Sequence, residues 1–203
     1  MLKPRYLPLL LLPIFSCVLL TRASGQWASV PLPGNHPEVF ALATHGDKGL
    51  VIGTGGLPNS QTNATGILWS DDHGDSIKPR SNGVGASRFD QLFRSLHSSN
   101  GLLVAASADG VYFSENDGET WEKRSKGLPV IPQTGKKSSN ALASLHGSIF
   151  CGTPSGVFKT TDKGKSWIDC SSGLMNPDVR ALATLDELIF ASTAGDGVHR
   201  SSD

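Results

Sequence analysis

The sequence predicts an all-β chain folded as a β-propeller of four-stranded antiparallel blades, about four of them: three complete and one composite or truncated. Three observations predict it. First, an eight-residue pattern recurs as Ser114-Glu-Asn116-Asp-Gly118-Glu-Thr120-Trp121, as Thr160-Thr-Asp162-Lys-Gly164-Lys-Ser166-Trp167 and, with Ile for Trp, as Ser70-Asp-Asp72-His-Gly74-Asp-Ser76-Ile77; Ser201-Ser-Asp203 begins a fourth copy. Second, the copies start 44, 46 and 41 residues apart, which is the period of propeller blades. Third, each copy is preceded by the same short apolar runs, in a chain with 23 glycines and few helix-period stripes.

The first strand of each repeat is Val39–Thr44, Leu92–Leu96, Ala141–Leu145 or Val179–Thr184. The second ends in small residues: Leu50–Thr54, Leu103–Ser107, Ile149–Thr153 and Ile189–Thr193. The third opens on glycine: Gly66–Ser70, Gly110–Ser114, Gly156–Thr160 and Gly197–Ser201. The eight-residue turn then leads into a fourth strand starting at Ile77, Trp121 or Trp167, with Gly83, Gly127 or Gly173 six residues later. Blades are therefore expected at about 38–84, 92–128, 140–174 and 178–203. A single such sheet cannot bury both faces, whereas stacked sheets can. A β-sandwich would not require four near-identical strand sets.

Residues 1–25 read as a secretory signal, with Lys3 and Arg5 as the basic start, Leu9–Leu20 as the apolar run and Ala23-Ser-Gly25 as small residues for cleavage. The run is shorter than the roughly 20 apolar residues of a membrane helix, so cleavage is expected and no stable span in the mature chain. A lipoprotein signal at Cys17 is disfavoured by the bulky Phe15. The mature part, 26–203, is expected to be one propeller domain, secreted or periplasmic. Without Lys3, Arg5 and Arg22 the basic residues fall from 18 to 15 against 18 acidic ones, a net charge of −3. That provides no electrostatic footprint for nucleic acid or an anionic membrane.

Cys151 and Cys170 remain in the mature chain. An oxidising compartment permits a disulfide. The two fall in the second and fourth strands of one repeat, however, with a strand between them, so two thiols are expected. Nothing resembles metal-ligand spacing, and no cofactor is expected.

The turn pattern has a local chemistry. Asp162, or Asn116, can accept backbone N–H groups in a tight turn. Gly118 and Gly164 supply a conformation that most residues avoid. Trp121 and Trp167 anchor the hairpin by burial, worth about 2–3 kcal/mol each. The pattern Ser/Thr-x-Asp-x-Gly-x-Thr/Ser-Trp resembles the Asp-box, or BNR repeat, and over whole repeats the resemblance covers roughly residues 38–203. Families that share the box include sialidases, xyloglucan-cleaving glycosidases, sortilin-type receptors and photosystem II assembly-factor propellers. In these families the boxes lie at the periphery. The resemblance therefore implies a structural role for Ser70, Asp72, Gly74, Ser114, Asn116, Gly118, Thr120, Trp121, Thr160, Asp162, Gly164, Ser166 and Trp167. His45, His97 and His146 each follow a first strand and read as equivalent turn residues repeated by duplication, too far apart to share one metal ion.

Gln26-Trp27-Ala-Ser-Val-Pro-Leu-Pro-Gly34 looks like an orphan fourth strand, its Gly one residue later than in the other copies. Two readings follow. Residues 26–34 close a four-bladed ring, or the chain is the first half of a longer propeller; the stop inside a box at Asp203 favours the second. A half-ring also invites a second copy, because its edges are open.

The expected function is binding or scaffolding for a protein or glycan partner, with no catalytic residue assigned. The alternative is a glycoside hydrolase of sialidase or xyloglucanase type whose catalytic residues are unidentified or lie beyond this sequence. A sialidase needs an arginine cluster and a Tyr–Glu pair, and Tyr112 lies inside a strand beside a box. Paired-acid hydrolysis needs two carboxylates about 5–9 Å apart, and neither Asp90 nor Glu38 can be paired from sequence. Three long loops on the face opposite the boxes are the candidate binding elements. They are 55–65, with Asn59 and the glycosylation sequon at Asn63; 83–90, with Arg88 and Asp90; and 127–139, with Lys136 and Lys137.

Overall fold

In the computed structural model the strands follow the chain in four consecutive antiparallel groups. The first blade holds β1 (Glu38–His45), β2 (Gly49–Gly55), β3 (Ile67–Ser70) and β4 (Lys78–Pro79). The second holds β5 (Phe93–Ser99), β6 (Leu102–Ser107), β7 (Gly110–Ser114) and β8 (Glu122–Lys123). The third holds β9 (Ala141–Leu145), β10 (Ser148–Thr153), β11 (Gly156–Thr160) and β12 (Ile168–Asp169). The fourth has three strands, β13 (Val179–Leu185), β14 (Leu188–Thr193) and β15 (Gly197–Ser201). Within each blade the strands pair in chain order, which makes the protein a β-propeller. The structure describes residues 28–33, 38–47, 49–55, 66–87 and 89–202. The expected signal at 1–25 and Trp27 lie outside them. Among the described residues there is no helix, hence none long and apolar enough to cross a membrane.

The fourth strands are shorter than the sequence suggests and start one residue after the aromatic position. The reason is a bond that leaves the blade. The Trp121 N–H donates to the Asn82 carbonyl at 2.8 Å and the Trp167 N–H to the Lys126 carbonyl at 2.9 Å, both in the preceding blade. A peptide committed to its neighbour cannot also pair inside its own sheet.

The core sits between blades. The first strands of successive blades pack against each other, β1 with β5, β5 with β9 and β9 with β13. Val51, Ile67 and Trp69 of the first blade meet Phe93, Leu103, Tyr112 and Trp121 of the second. Val104, Val111 and Phe113 meet Leu142, Ile149, Phe158 and Trp167 at the next junction, and Phe150 and Val157 meet Val179, Ile189 and Ala191 at the last. β6 and β10 are buried throughout, because each has a blade on both sides.

Register follows the pleat, so each blade presents alternate residues to the previous and the next blade. Cys151 and Cys170 form no disulfide with each other. Cys151 lies in β10 and its thiol is pushed up to about 12 by burial, whereas Cys170 lies one residue beyond β12, half-buried.

Candidate functional site

The eight-residue turns are closed networks. Thr160 Oγ1 accepts the Gly164 N–H at 2.9 Å and donates to Asp162 Oδ1 at 2.7 Å. Asp162 Oδ1 accepts the Ser166 N–H at 2.9 Å, and Oδ2 accepts the Ser166 hydroxyl at 2.5 Å. The Ser70–Ser76 turn repeats these bonds through Asp72 and Gly74. In the Ser114–Thr120 turn Asn116 Oδ1 takes the Thr120 N–H at 3.0 Å, while its Nδ2 donates to Thr120 Oγ1 at 2.9 Å. Bonds from Ser166 and then Thr160 hold the Asp162 carboxyl down at about 2, and equivalent bonds from Ser76 and Ser70 hold Asp72 lower still. The leading Ser or Thr is the hub of each turn, a role that the spacing alone leaves to Asp. Gly164 has φ +81, and a methyl group there would lie 2.3 Å from Phe113 Cε2.

The histidines are not equivalent. In register His45 closes β1 opposite Gly49, His97 sits inside β5 opposite Val104, and His146 lies in the turn after β9. A near-match in sequence suggests one repeated turn; pairing offsets them from one another by one to three residues. Each instead reaches the next blade. His45 bonds Ser98 at 2.7 Å and Asp117 at 3.0 Å, His97 bonds Ser144 at 2.9 Å, and His146 pairs with Glu187. Burial lowers the His97 pKa.

Of the expected loop residues, Asn59, Asn63 and Arg88 lie outside the described residues. Asp90, Lys136 and Lys137 are held by the chain itself. Asp90 is buried and accepts the Tyr112 hydroxyl at 2.5 Å, the Ser87 hydroxyl at 2.6 Å and Lys123 Nζ at 2.9 Å. Burial opposes ionisation of Asp90, but these bonds outweigh it and hold the carboxyl below its ordinary value. Lys136 Nζ bonds Asp109 at 2.9 Å, and Lys137 Nζ bonds the Ser125 carbonyl at 2.8 Å. Their charges are spent on fastening the long loops to the second blade.

The same face carries a second feature that the loop lengths did not reveal. Three first strands are interrupted by register shifts, between Val39 and Ala41, Phe93 and Ser95, and Val179 and Ala181. Such bulges re-aim one side chain out of the pleat. The residues at these bulges are Phe40, Arg94 and Arg180, and Asn140 precedes β9 at the corresponding place. Arg94 and Arg180 line an open depression of ≈ 580 Å³ with Ile131, Ser138, Asn140, Pro154 and Asp178. Arg94 Nη1 donates to Ser138 Oγ at 2.6 Å and to Asn140 Oδ1 at 3.0 Å. Asn140 Nδ2 in turn donates to the Val179 carbonyl at 2.8 Å, which ties the third blade to the fourth. Arg180 pairs with Asp178 at 2.5 Å. No carboxylate pairs with Arg94 among the described residues. Burial lowers the Arg94 pKa, and the nearby positive charge of Arg180 lowers it further. Two guanidinium groups, from strands on either side of β9, thus line one depression together with Asp178. The sequence carried a signal for it, since Arg94-Ser-Leu and Arg180-Ala-Leu occupy one column of the repeat.

These features define the class: a β-propeller with an arginine-lined depression where its first strands begin. No protein-family model matches the chain, and no curated protein matches it in sequence. Solved structures share the fold. The computationally designed Ika4 protein is 15% identical with a TM-score of 0.58, over 87% of this chain and 98% of its own. YCF48 bound to D1 peptide is 18% identical with a TM-score of 0.58, over 80% of this chain and 50% of its own. The GH74 xyloglucanase from Xanthomonas campestris is 15% identical with a TM-score of 0.60, over 88% of this chain and 31% of its own. The chain thus spans nearly all of the designed protein but half or less of the other two.

Proposed function

We propose that this chain is an exported Asp-box propeller that binds a carboxylate-bearing group of a protein or glycan partner. The turn networks around Asp72, Asn116 and Asp162 support the Asp-box reading, because the residues that define the box make the bonds that close the turn. The apolar start of the sequence supports export from the cytoplasm, as one domain from 26 to 203. The single observation that carries the binding reading is Arg94, which lines the same open depression as Arg180 and pairs with no acid among the described residues. A propeller bound to D1 peptide among the similar structures supports a peptide as one partner to test. The rival reading, a glycoside hydrolase, keeps its catalytic pair unassigned: Asp178 is the one carboxylate lining the depression among the described residues.

The test is calorimetric titration with peptides ending in a free or an amidated carboxyl, and with uronate-containing or neutral oligosaccharides. Charge-assisted bonds contribute about 1.5–3 kcal/mol, so Arg94→Ala or Arg180→Ala should weaken binding roughly 10- to 100-fold. Equal binding of charged and neutral ligands, or indifference to both substitutions, would sink the reading. Turnover of an oligosaccharide would favour the hydrolase instead.

A further inference from the structure

Arg94 is held by bonds that leave its charge in place. Its Nη1 carries two hydrogens and has two acceptors within the chain, Ser138 Oγ at 2.6 Å and Asn140 Oδ1 at 3.0 Å. Neither acceptor is charged, so the guanidinium is fixed without being neutralised. It stays protonated, although burial opposes the charge and Arg180 adds a like charge nearby. Its Nε–H and the hydrogens on Nη2 have no acceptor among the described residues. Those two nitrogens form one edge of the planar group and present two parallel N–H bonds.

The acceptors are themselves fixed. Ser138 is 8% exposed, and Asn140 is oriented by its second bond, from Nδ2 to the Val179 carbonyl at 2.8 Å in the fourth blade. Reversing that amide would set its N–H groups against Arg94 and its oxygen against a carbonyl, so one orientation alone satisfies both neighbours. A side chain of the second blade is thus aimed by two residues of the third, one of them set by the fourth. The corresponding places in the fourth blade are filled differently. Ser138 and Asn140 stand before β9 as Asp178 and Arg180 stand at the start of β13. There a carboxylate takes the place of the hydroxyl, and Arg180 Nη2 donates to Asp178 Oδ2 at 2.5 Å. The Nη2 that Arg94 leaves open is therefore engaged in Arg180, and the charge of Arg180 is met within its own blade.

We propose that Arg94 takes its ligand by a fork, donating Nε–H and one Nη2–H to the two oxygens of a single carboxylate, and that Ser138 and Asn140 are positioning residues for that fork. The ligand class narrows accordingly, to a group with two acceptor oxygens on one atom. An amide or a hydroxyl offers one oxygen and leaves an N–H of the edge unmet. A lysine cannot replace Arg94, because an ammonium is a point charge without the planar edge. The inference rests on the carboxylate-binding reading proposed above and concerns how Arg94 binds, so the two can fail separately.

The test is calorimetric titration of the full chain with two tripeptides blocked at both ends, glycine-aspartate-glycine and glycine-asparagine-glycine, which differ only in the carboxylate. The wild-type chain should prefer the aspartate peptide. Arg94→Lys keeps the charge without the fork and should weaken that peptide roughly 10- to 100-fold, about as much as Arg94→Ala. Ser138→Ala and Asn140→Ala should each weaken it roughly 3- to 10-fold, and by less than about twofold once Arg94 is lysine. Asn140→Ala also strips a bond from Val179, so Ser138→Ala decides the positioning role if the Asn140 variant melts early. An Arg94→Lys chain that binds within about threefold of wild type, where Arg94→Ala binds weakly, would overturn the fork and leave the carboxylate reading standing. Equal losses from Ser138→Ala with arginine or lysine at 94 would overturn the positioning role. Equal binding of the two peptides would remove the carboxylate reading and the fork with it.

Discussion

Replacing Trp167 with alanine should unlock the junction between the second and third blades. The side chain is 4% exposed, packs 6.2 Å from the Phe113 ring between centroids, and donates Nε1–H to the Arg124 carbonyl at 2.9 Å. Removing a buried Trp side chain costs about 3–5 kcal/mol, because the surrounding core collapses only in part. For a domain of this size each kcal/mol lowers Tm by about 2–4 °C, so a fall of roughly 6–20 °C is expected. Trp167→Phe retains most of the apolar volume but leaves the Arg124 carbonyl without its donor, which should cost about 1–2 kcal/mol. Urea unfolding followed by circular dichroism, extrapolated linearly, measures both values. An alanine variant within about 1 kcal/mol of wild type would refute burial as the anchor. A phenylalanine variant as unstable as the alanine one would assign the effect to the bond instead.

Asp162→Asn should leave stability near pH 7 almost unchanged, since Asn116 makes the corresponding bonds in its own turn. The native Asp162 carboxyl lies at about 2 against an ordinary 3.8. The unfolded chain therefore takes up the proton first as pH falls, and this stabilisation, complete above about pH 4, is lost toward pH 2. The asparagine variant should show a flatter Tm profile across that window, and an unchanged slope would count against the carboxylate network. His97 is held below its ordinary 6.5 by burial, with Ser144 as its bonding partner. The unfolded state binds that proton more readily, so its contribution is complete above about pH 6.5 and declines below it. His97→Gln should reduce the decline in Tm between pH 6.5 and 5, and an identical decline would show that another group causes it.

The turn chemistry was legible in the sequence because its bonds are local. Ser70 to Gly74 and Asp72 to Ser76 are each four residues apart, so spacing alone places the partners. The strands were legible for a similar reason: each pairs with its chain neighbour. The loop charges were not. Lys136 meets Asp109, 27 residues away, and Asp90 meets Lys123, 33 away, so residues that look available for a ligand are neutralised by the fold. The three histidines misled because the recurrence of a residue type is not the recurrence of a register position.

The sequence by itself determined the repeat, its four-stranded plan and the locked turns, because period-two burial and short-range hydrogen bonding are written residue by residue. Only the tertiary structure decided where chemistry gathers and which blade faces stay exposed among the described residues. Arg94 and Arg180 are 86 residues apart, on strands that flank β9 from either side, and both reach the same depression. The exposure of Leu42 and Val198 depends on which blade faces are covered. That is a property of neighbouring sheets, and no single repeat encodes it.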